Sequence, residues 1–222
     1  NGNSFRLGVS GSGKSFSAKE EIVDLALSTE DDILILDPES EFVSLVESLN
    51  GEVISISATS DTHLNALDMD SAYGNDKNPL IEKSEFILSL FEQLVGAGNL
   101  SAKEKSILDR CTADVYRDYM RSGYQGEVPT LKDLYRQLML QPEEEARGLA
   151  LSSELFINGS LNTFAQKTNV NTKSRIIAYD IRELGEQLMP LGMLVTLDSI
   201  FNRVIQNWKR GRTTWIFADE FY

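Results

Sequence analysis

The sequence has little cysteine, histidine or proline: one, one and five residues in 222. Cys111 has no second cysteine with which to form an internal disulfide, so we expect a reducing compartment and a thiol in the core. His63 has no second histidine as a metal partner, and a loop or cap position is expected for it. No apolar run approaches the roughly 18 residues that span a bilayer, and no basic-then-apolar signal pattern precedes the first motif.

Basic residues are also scarce. The chain carries 21 Lys and Arg against 34 Asp and Glu, a net charge of −13, which argues against wrapping of nucleic acid over the whole surface. The charge is uneven, because residues 167–212 have a net charge of +4. We expect the tightest basic group to lie on a solvated helix end and turn, and a contact for a polyanion or a neighbouring subunit is the alternative. That group is Arg203, Lys209, Arg210 and Arg212.

Strand and helix patterns alternate in two parts of the chain. Apolar runs at 32–37, 53–57, 175–181 and 213–218 predict strands, and residues 5–9 form a further short apolar stretch. Helical spacing is found at 15–27 and 43–49. Such alternation predicts an α/β fold with a parallel sheet.

Residues 79–158 differ, because they contain no convincing strand. Apolar stripes, a capping box at Ser101 and Glu104, a cap at Thr130 and acids after Pro142 predict four helices, over 80–95, 101–120, 131–140 and 142–156. We therefore expect a nucleotide-binding core formed by 1–78 and 159–222, and an all-helical insertion at 79–158. The first residue is not Met and the last follows an Asp-Glu pair closely, so a piece of a longer protein is expected.

The segment GVSGSGKS fits the phosphate-binding loop pattern G-x-x-x-x-G-K-[ST]. Glycines let backbone N–H groups surround an anion, and the following helix adds its positive end. Lys14 is predicted to reach the terminal phosphates of ATP, and the Ser15 hydroxyl to bind Mg²⁺. A Gly/Ser loop without ligand is the alternative. The residues predicted to contact the nucleotide are Gly8, Ser10, Gly11, Ser12, Gly13, Lys14, Ser15 and Phe16.

Two acidic segments follow predicted strands. Asp219 and Glu220 come after the apolar run 215–218; Asp219 is predicted to hold Mg²⁺ and Glu220 to orient or deprotonate the attacking water. Glu39, in Asp-Pro-Glu-Ser-Glu after the 32–37 strand, competes with Glu220 for that catalytic role. Alternatively, Pro38 begins a helix whose dipole the glutamates serve.

Arg175 and Arg182 flank the third predicted strand. Because Arg182 lies at its carboxyl end, an arginine that reaches a nucleotide across a subunit interface is one interpretation. A surface ion pair is the interpretation that we favour.

Five segments occur in order: GVSGSGKSFSAKEEI, ILDPESEF, HLNALDM, RIIAYDIRELG and TTWIFADEFY. Their order and spacing resemble the ATPase domain of the conjugal-transfer ATPases of type IV secretion systems, the VirB/TraE type. The first and last motifs are shared with the wider HerA/FtsK superfamily of P-loop NTPases. The family usually has Tyr where Phe42 stands, and a later glutamine motif that this chain does not reach.

This resemblance implies a RecA-like core with a helical insertion, and hydrolysis of ATP with Mg²⁺ that powers channel assembly or substrate transfer. It implies other secretion subunits as partners and a homo-oligomer, a hexamer, at the cytoplasmic, inner face of the cell membrane. The alternatives are a translocase that pumps duplex DNA directly, and a nucleotide-binding scaffold that does not turn over.

Overall fold

A parallel sheet of four strands forms the centre of the described part of the chain. The computed structural model describes residues 14–75 and 78–218. Its strands are β1 (Asp32–Asp37), β2 (Glu52–Ser55), β3 (Ile176–Asp180) and β4 (Thr214–Ala218), in the spatial order β2-β3-β1-β4. All four predicted strands are confirmed with shifts of at most two residues at their ends. The predicted stretch at 5–9 lies outside the described residues.

Both faces of the sheet are covered, which explains the continuous apolar runs of its strands. On one face, Ile33 and Ile35 of β1 pack with Ala178 of β3 under two helices, α1 (Lys14–Ser28) and α2 (Val43–Ser48). Alternate residues, such as Leu34 and Leu36, belong to a second and larger core on the other face. The sheet therefore lies between two helical layers.

Four helices lie between β2 and β3: α3 (Pro79–Val95), α4 (Ala102–Arg121), α5 (Leu131–Met139) and α6 (Glu144–Ile157). The predicted capping box is present, since the Glu104 carboxylate accepts the Ser101 N–H at 2.7 Å and the Ser101 hydroxyl accepts the Glu104 N–H at 3.3 Å. The four helix predictions are confirmed with small changes of bounds. Pro142 is not in a first turn, because α6 begins two residues later.

The helices α3–α6 share one core with the sheet. Ile87 of α3, Leu108 of α4 and Leu149 of α6 belong to the same buried cluster as Leu34 and Ile177 of the strands. Since the two groups belong to one buried cluster, removing 79–158 would expose apolar side chains of that core. The division into a core and an insertion stays a prediction.

The longest helix in the described chain, α7 (Gly185–Lys209), is not predicted by the sequence pattern. Pro190 and Gly192 interrupt its helical signal. Gly192 lies in a closely packed place, because a Cβ there would meet the Leu184 side chain and lie 3.3 Å from Cζ of Phe164, so the Leu184 side chain would have to move.

By length and composition, the described stretch Arg182–Lys209 would suffice to cross a membrane, which no apolar run had suggested. A core helix of a soluble protein passes the same test, so this is weak evidence. Here α7 packs on the sheet through Leu188, Leu191, Val195 and Ile200, all of which are buried. These four residues account for part of its apolar composition, since 33% of the apolar stretch is buried within the protein.

A buried ion pair joins α3 to α7. Lys83 has no exposed side-chain surface, and its Nζ lies 2.9 Å from Asp198 Oδ2. The same ammonium lies 4.6 Å from the ring centre of Tyr73 and 4.4 Å from that of Phe86. The Tyr73 hydroxyl donates a hydrogen bond to Asp198, and burial together with that carboxylate raises the pKa of Tyr73. The charge of Lys83 is thus compensated inside the core.

Candidate nucleotide site at the carboxyl edge of the sheet

The orientation of α1 decides where its positive end lies. Near its start, Lys19 Nζ lies 5.6 Å from the ring centre of Phe42, which follows the carboxyl end of β1. Near its end, Arg175, which precedes β3, donates to the backbone carbonyl of Ala26 at 2.9 Å. The helix α1 therefore runs antiparallel to the strands, and Lys14 begins it at their carboxyl edge.

Arg175 stabilises the C-terminal end of α1, where helix carbonyls lack partners. Besides Ala26, its guanidinium donates to the carbonyls of Thr29 and Asp31 at 3.0 and 3.1 Å. The surface ion pair favoured for this residue is therefore wrong. Arg182 does lie just beyond β3, is exposed, and comes within 4.0 Å of Glu183.

The N-terminal end of α1 suits an anion. Its first turn holds no acidic residue that would neutralise the helix dipole. Phe16 lies in that turn, and 68% of its surface is exposed. The predicted contacts of Gly8, Ser10, Gly11, Ser12 and Gly13, and of the Lys14 and Ser15 side chains, lie outside what the structure describes, and they stay predictions.

The turn after β1 is built on Asp37, whose surface is fully buried. Its two carboxylate oxygens accept the backbone N–H groups of Glu41 and Phe42, each at 2.9 Å. Burial raises the pKa of Asp37, the two N–H groups oppose that shift, and Asp180 adds to it. Asp37 therefore serves the turn and does not face a ligand.

Glu39 lies in this turn and is exposed at the carboxyl edge. The alternative in which Pro38 begins a helix is wrong, because α2 begins at Val43 and its first turn holds no acid. Glu39 thus remains available for the catalytic role predicted for it.

Asp180, the last residue of β3, is a part of the edge that sequence reasoning missed. The sheet register pairs it with Asp37. Its Oδ1 accepts the Ser40 hydroxyl at 2.5 Å and its Oδ2 accepts the Ser55 hydroxyl at 2.9 Å. Its position after an apolar strand, as in Asp37, was the available signal.

The end of β4 lies at the same edge, because Ala218 is in register with Leu36. Asp219 and Glu220 follow Ala218 in the chain but lie outside the described residues, so their predicted roles stay predictions. Three predicted motifs thus converge on one edge of the sheet: the start of α1, the turn with Glu39, and the end of β4. This is where ligands bind in parallel α/β sheets.

The other candidates lie elsewhere. Cys111 is fully buried in α4, and burial raises the pKa of its thiol to about 11, which confirms a core thiol. His63 lies in a loop, as expected, with Nδ1 3.3 Å from the Thr163 carbonyl oxygen. Within 14–75 and 78–218, no cluster of three potential metal-binding His, Cys, Asp or Glu side chains is found.

The basic group at 203–212 lies on the C-terminal end of α7 and the turn after it, where Lys209, Arg210 and Arg212 are exposed as expected, whereas Arg203 is half-buried. Arg203 Nε donates to the buried Asp32 carboxylate at 2.7 Å, and Arg212 lies 3.3 Å from the same group. Asn207 donates to Asp32 at 2.6 Å. Lys209 donates to the carbonyl of Gly74 at 2.6 Å. These side chains fix the C-terminal half of α7 to the amino edge of the sheet, opposite the candidate site.

Comparison with known proteins agrees with this arrangement. A solved structure of VirB4 of Thermoanaerobacter pseudethanolicus superposes with a TM-score of 0.76 at 21% sequence identity, covering 93% of this chain and 80% of that one. This likeness shows a RecA-like P-loop ATPase fold. No curated protein matches the chain. The family model described as the central domain of the helicase HerA matches residues 7–200. The chain therefore belongs to the HerA central-domain family of P-loop ATPases.

Proposed function

We propose that this chain is the ATP-binding and ATP-hydrolysing motor domain of a conjugative type IV secretion system, and that it powers channel assembly or substrate transfer. The observation that carries the proposal is the convergence at the carboxyl edge. The start of α1, which follows the phosphate-loop sequence, lies at the same edge as the Glu39 turn and the end of β4. The resemblance of the five sequence segments and the fold of VirB4 support the secretion role.

The residue roles follow from the chemistry of phosphoryl transfer. The backbone of the 8–13 loop and Lys14 would hold the phosphates, while Ser15 and Asp219 would hold Mg²⁺, which neutralises charge on the phosphates. The acid-free first turn of α1 fits that anion. Glu220 would orient or deprotonate the attacking water, and Glu39 is the second candidate for that step.

Partners and location belong to the same proposal. We place the protein at the cytoplasmic, inner face of the cell membrane, as a homo-oligomer of six copies in contact with other secretion subunits. The resemblance of the five sequence segments to the conjugal-transfer ATPases is what supports this assembly.

Replacing Lys14 by Ala tests nucleotide binding. The expected result is loss of binding with an intact fold, because the lysine of the phosphate-loop pattern serves the bound phosphates. The measurement is a pair of thermal melts with and without Mg-ATP, in which only the wild type gains stability. Stabilisation by Mg-ATP that survives the substitution would contradict the site.

Direct action on duplex DNA is less well supported. The net charge is −13, and Arg203 and Arg212 bind Asp32 within the protein. The test is ATP turnover with and without duplex DNA at several salt concentrations. We expect no steep salt-dependent stimulation; a steep one would favour the DNA-pumping alternative. Tight binding of ATP without any phosphate release would favour the non-hydrolysing scaffold.

A further inference from the structure

We propose that Asp180 is a positioning residue for ATP hydrolysis, which acts through Ser40 to hold Glu39 over the nucleotide. The proposal rests on the proposed function, because it assigns a task to Asp180 at the same site. It takes Glu39, the second candidate for the step on the attacking water, as the residue that Asp180 positions. Asp180 ends β3, next to β1, and none of the sequence motifs assigned it a role.

The carboxylate of Asp180 joins three separate segments. Its Oδ1 accepts the Ser40 hydroxyl at 2.5 Å and the Arg182 backbone N–H at 3.3 Å, and its Oδ2 accepts the Ser55 hydroxyl at 2.9 Å. Both oxygens are therefore in use by the protein. A carboxylate placed in this way fixes the neighbouring segments relative to one another.

Ser40 needs such a bond because its backbone is left-handed, with φ of 58°. Serine rarely adopts this conformation without local support. The bond from its hydroxyl to Asp180, 140 residues away in the chain, supplies that support. The conformation of the turn therefore depends on β3 as well as on its own sequence.

The turn is fixed before and after Glu39. Asp37, two residues before it, accepts the backbone N–H groups of Glu41 and Phe42. Ser40, the residue after it, donates its hydroxyl to Asp180. Glu39 itself is exposed at the edge where α1 begins. Since a positioned carboxylate acts on the attacking water only within hydrogen-bond reach, small movements of this turn would slow turnover more than they weaken binding.

Kinetics on the intact protein test the proposal, with Mg-ATP as the probe. Asp180→Ala and Ser40→Ala each remove the bond between Asp180 and Ser40, and each is expected to lower kcat by about fivefold to tenfold, the size of one lost hydrogen bond, while the Kd for Mg-ATP changes by less than about twofold. Ser55→Ala is the matched control, because it removes the other hydroxyl bond of Asp180 and leaves the turn bond. It should lower kcat by clearly less than Ser40→Ala does.

A double-mutant cycle separates positioning from general damage. If Asp180 acts through Glu39, then Glu39→Gln with Asp180→Ala has the same kcat as Glu39→Gln alone. Effects that multiply would overturn the proposal, as would a normal kcat in Asp180→Ala or in Glu39→Gln, or equal losses in Ser40→Ala and Ser55→Ala. A wild-type protein that does not bind Mg-ATP would overturn the proposed function and this proposal together; the other outcomes leave the proposed function intact.

Discussion

Replacing Lys83 by Met should destabilise the protein by about 3 kcal/mol. The side chain of Lys83 has no exposed surface, and its ammonium lies 2.9 Å from the Asp198 carboxylate, of whose side chain 19% is exposed. Methionine has a similar length and fills the same space, so the substitution removes the charge and leaves little cavity. What remains is a mostly buried carboxylate without its cation.

The magnitude follows from the free energy needed to leave such a carboxylate buried without its cation. Breaking a buried ion pair at one partner costs about 3–5 kcal/mol. Asp198 keeps the hydrogen bond from the Tyr73 hydroxyl and some contact with solvent, which places the cost near the lower end. For a protein of this size, about 3 kcal/mol corresponds to a fall of about 6–12 °C in Tm.

Urea and thermal denaturation measure the effect, and two further variants interpret it. Lys83→Met with Asp198→Leu removes both charges and should recover most of the loss. Lys103→Met, in a pair with Glu145 whose side chains are 79% and 36% exposed, should cost less than about 1 kcal/mol. The reasoning fails if Lys83→Met costs no more than Lys103→Met, or if the double variant is less stable than Lys83→Met.

Three further outcomes are expected. The Cys111 thiol, with a pKa raised to about 11, should resist alkylating reagents at pH 8 until the protein is unfolded, because it stays neutral and buried; rapid labelling of the native protein would contradict this. Gly192→Ala should cost about 1–2 kcal/mol by overpacking in urea denaturation, whereas Gly148→Ala, with open space around an exposed helical position, should stabilise by about 0.5–1 kcal/mol. Ser101→Ala should cost about 1 kcal/mol in the same measurement, because it removes the N-cap of α4, and an unchanged midpoint would refute that role.

The candidate site was predictable only in part. The phosphate-loop pattern and the acids after two strands are local signals, and the start of α1, the turn after β1 and the end of β4 lie at one edge in the described structure. Asp180 was missed because its role depends on Ser40 and Ser55, which are 140 and 125 residues away. Arg175 was misassigned since its partners are backbone carbonyls, which no side-chain pattern reveals.

The sequence by itself determined the four described strands, the helices α3–α6 and the phosphate-loop motif. The physical reason is that burial on both faces, capping and turn chemistry act within a few residues and leave periodic patterns. Only the tertiary structure decided the strand order β2-β3-β1-β4, the long helix α7, and the ion pair between Arg203 and Asp32. These depend on contacts between distant segments: Gly192 fits because Leu184 and Phe164 are close, and Asp180 meets Ser40 because β3 pairs with β1.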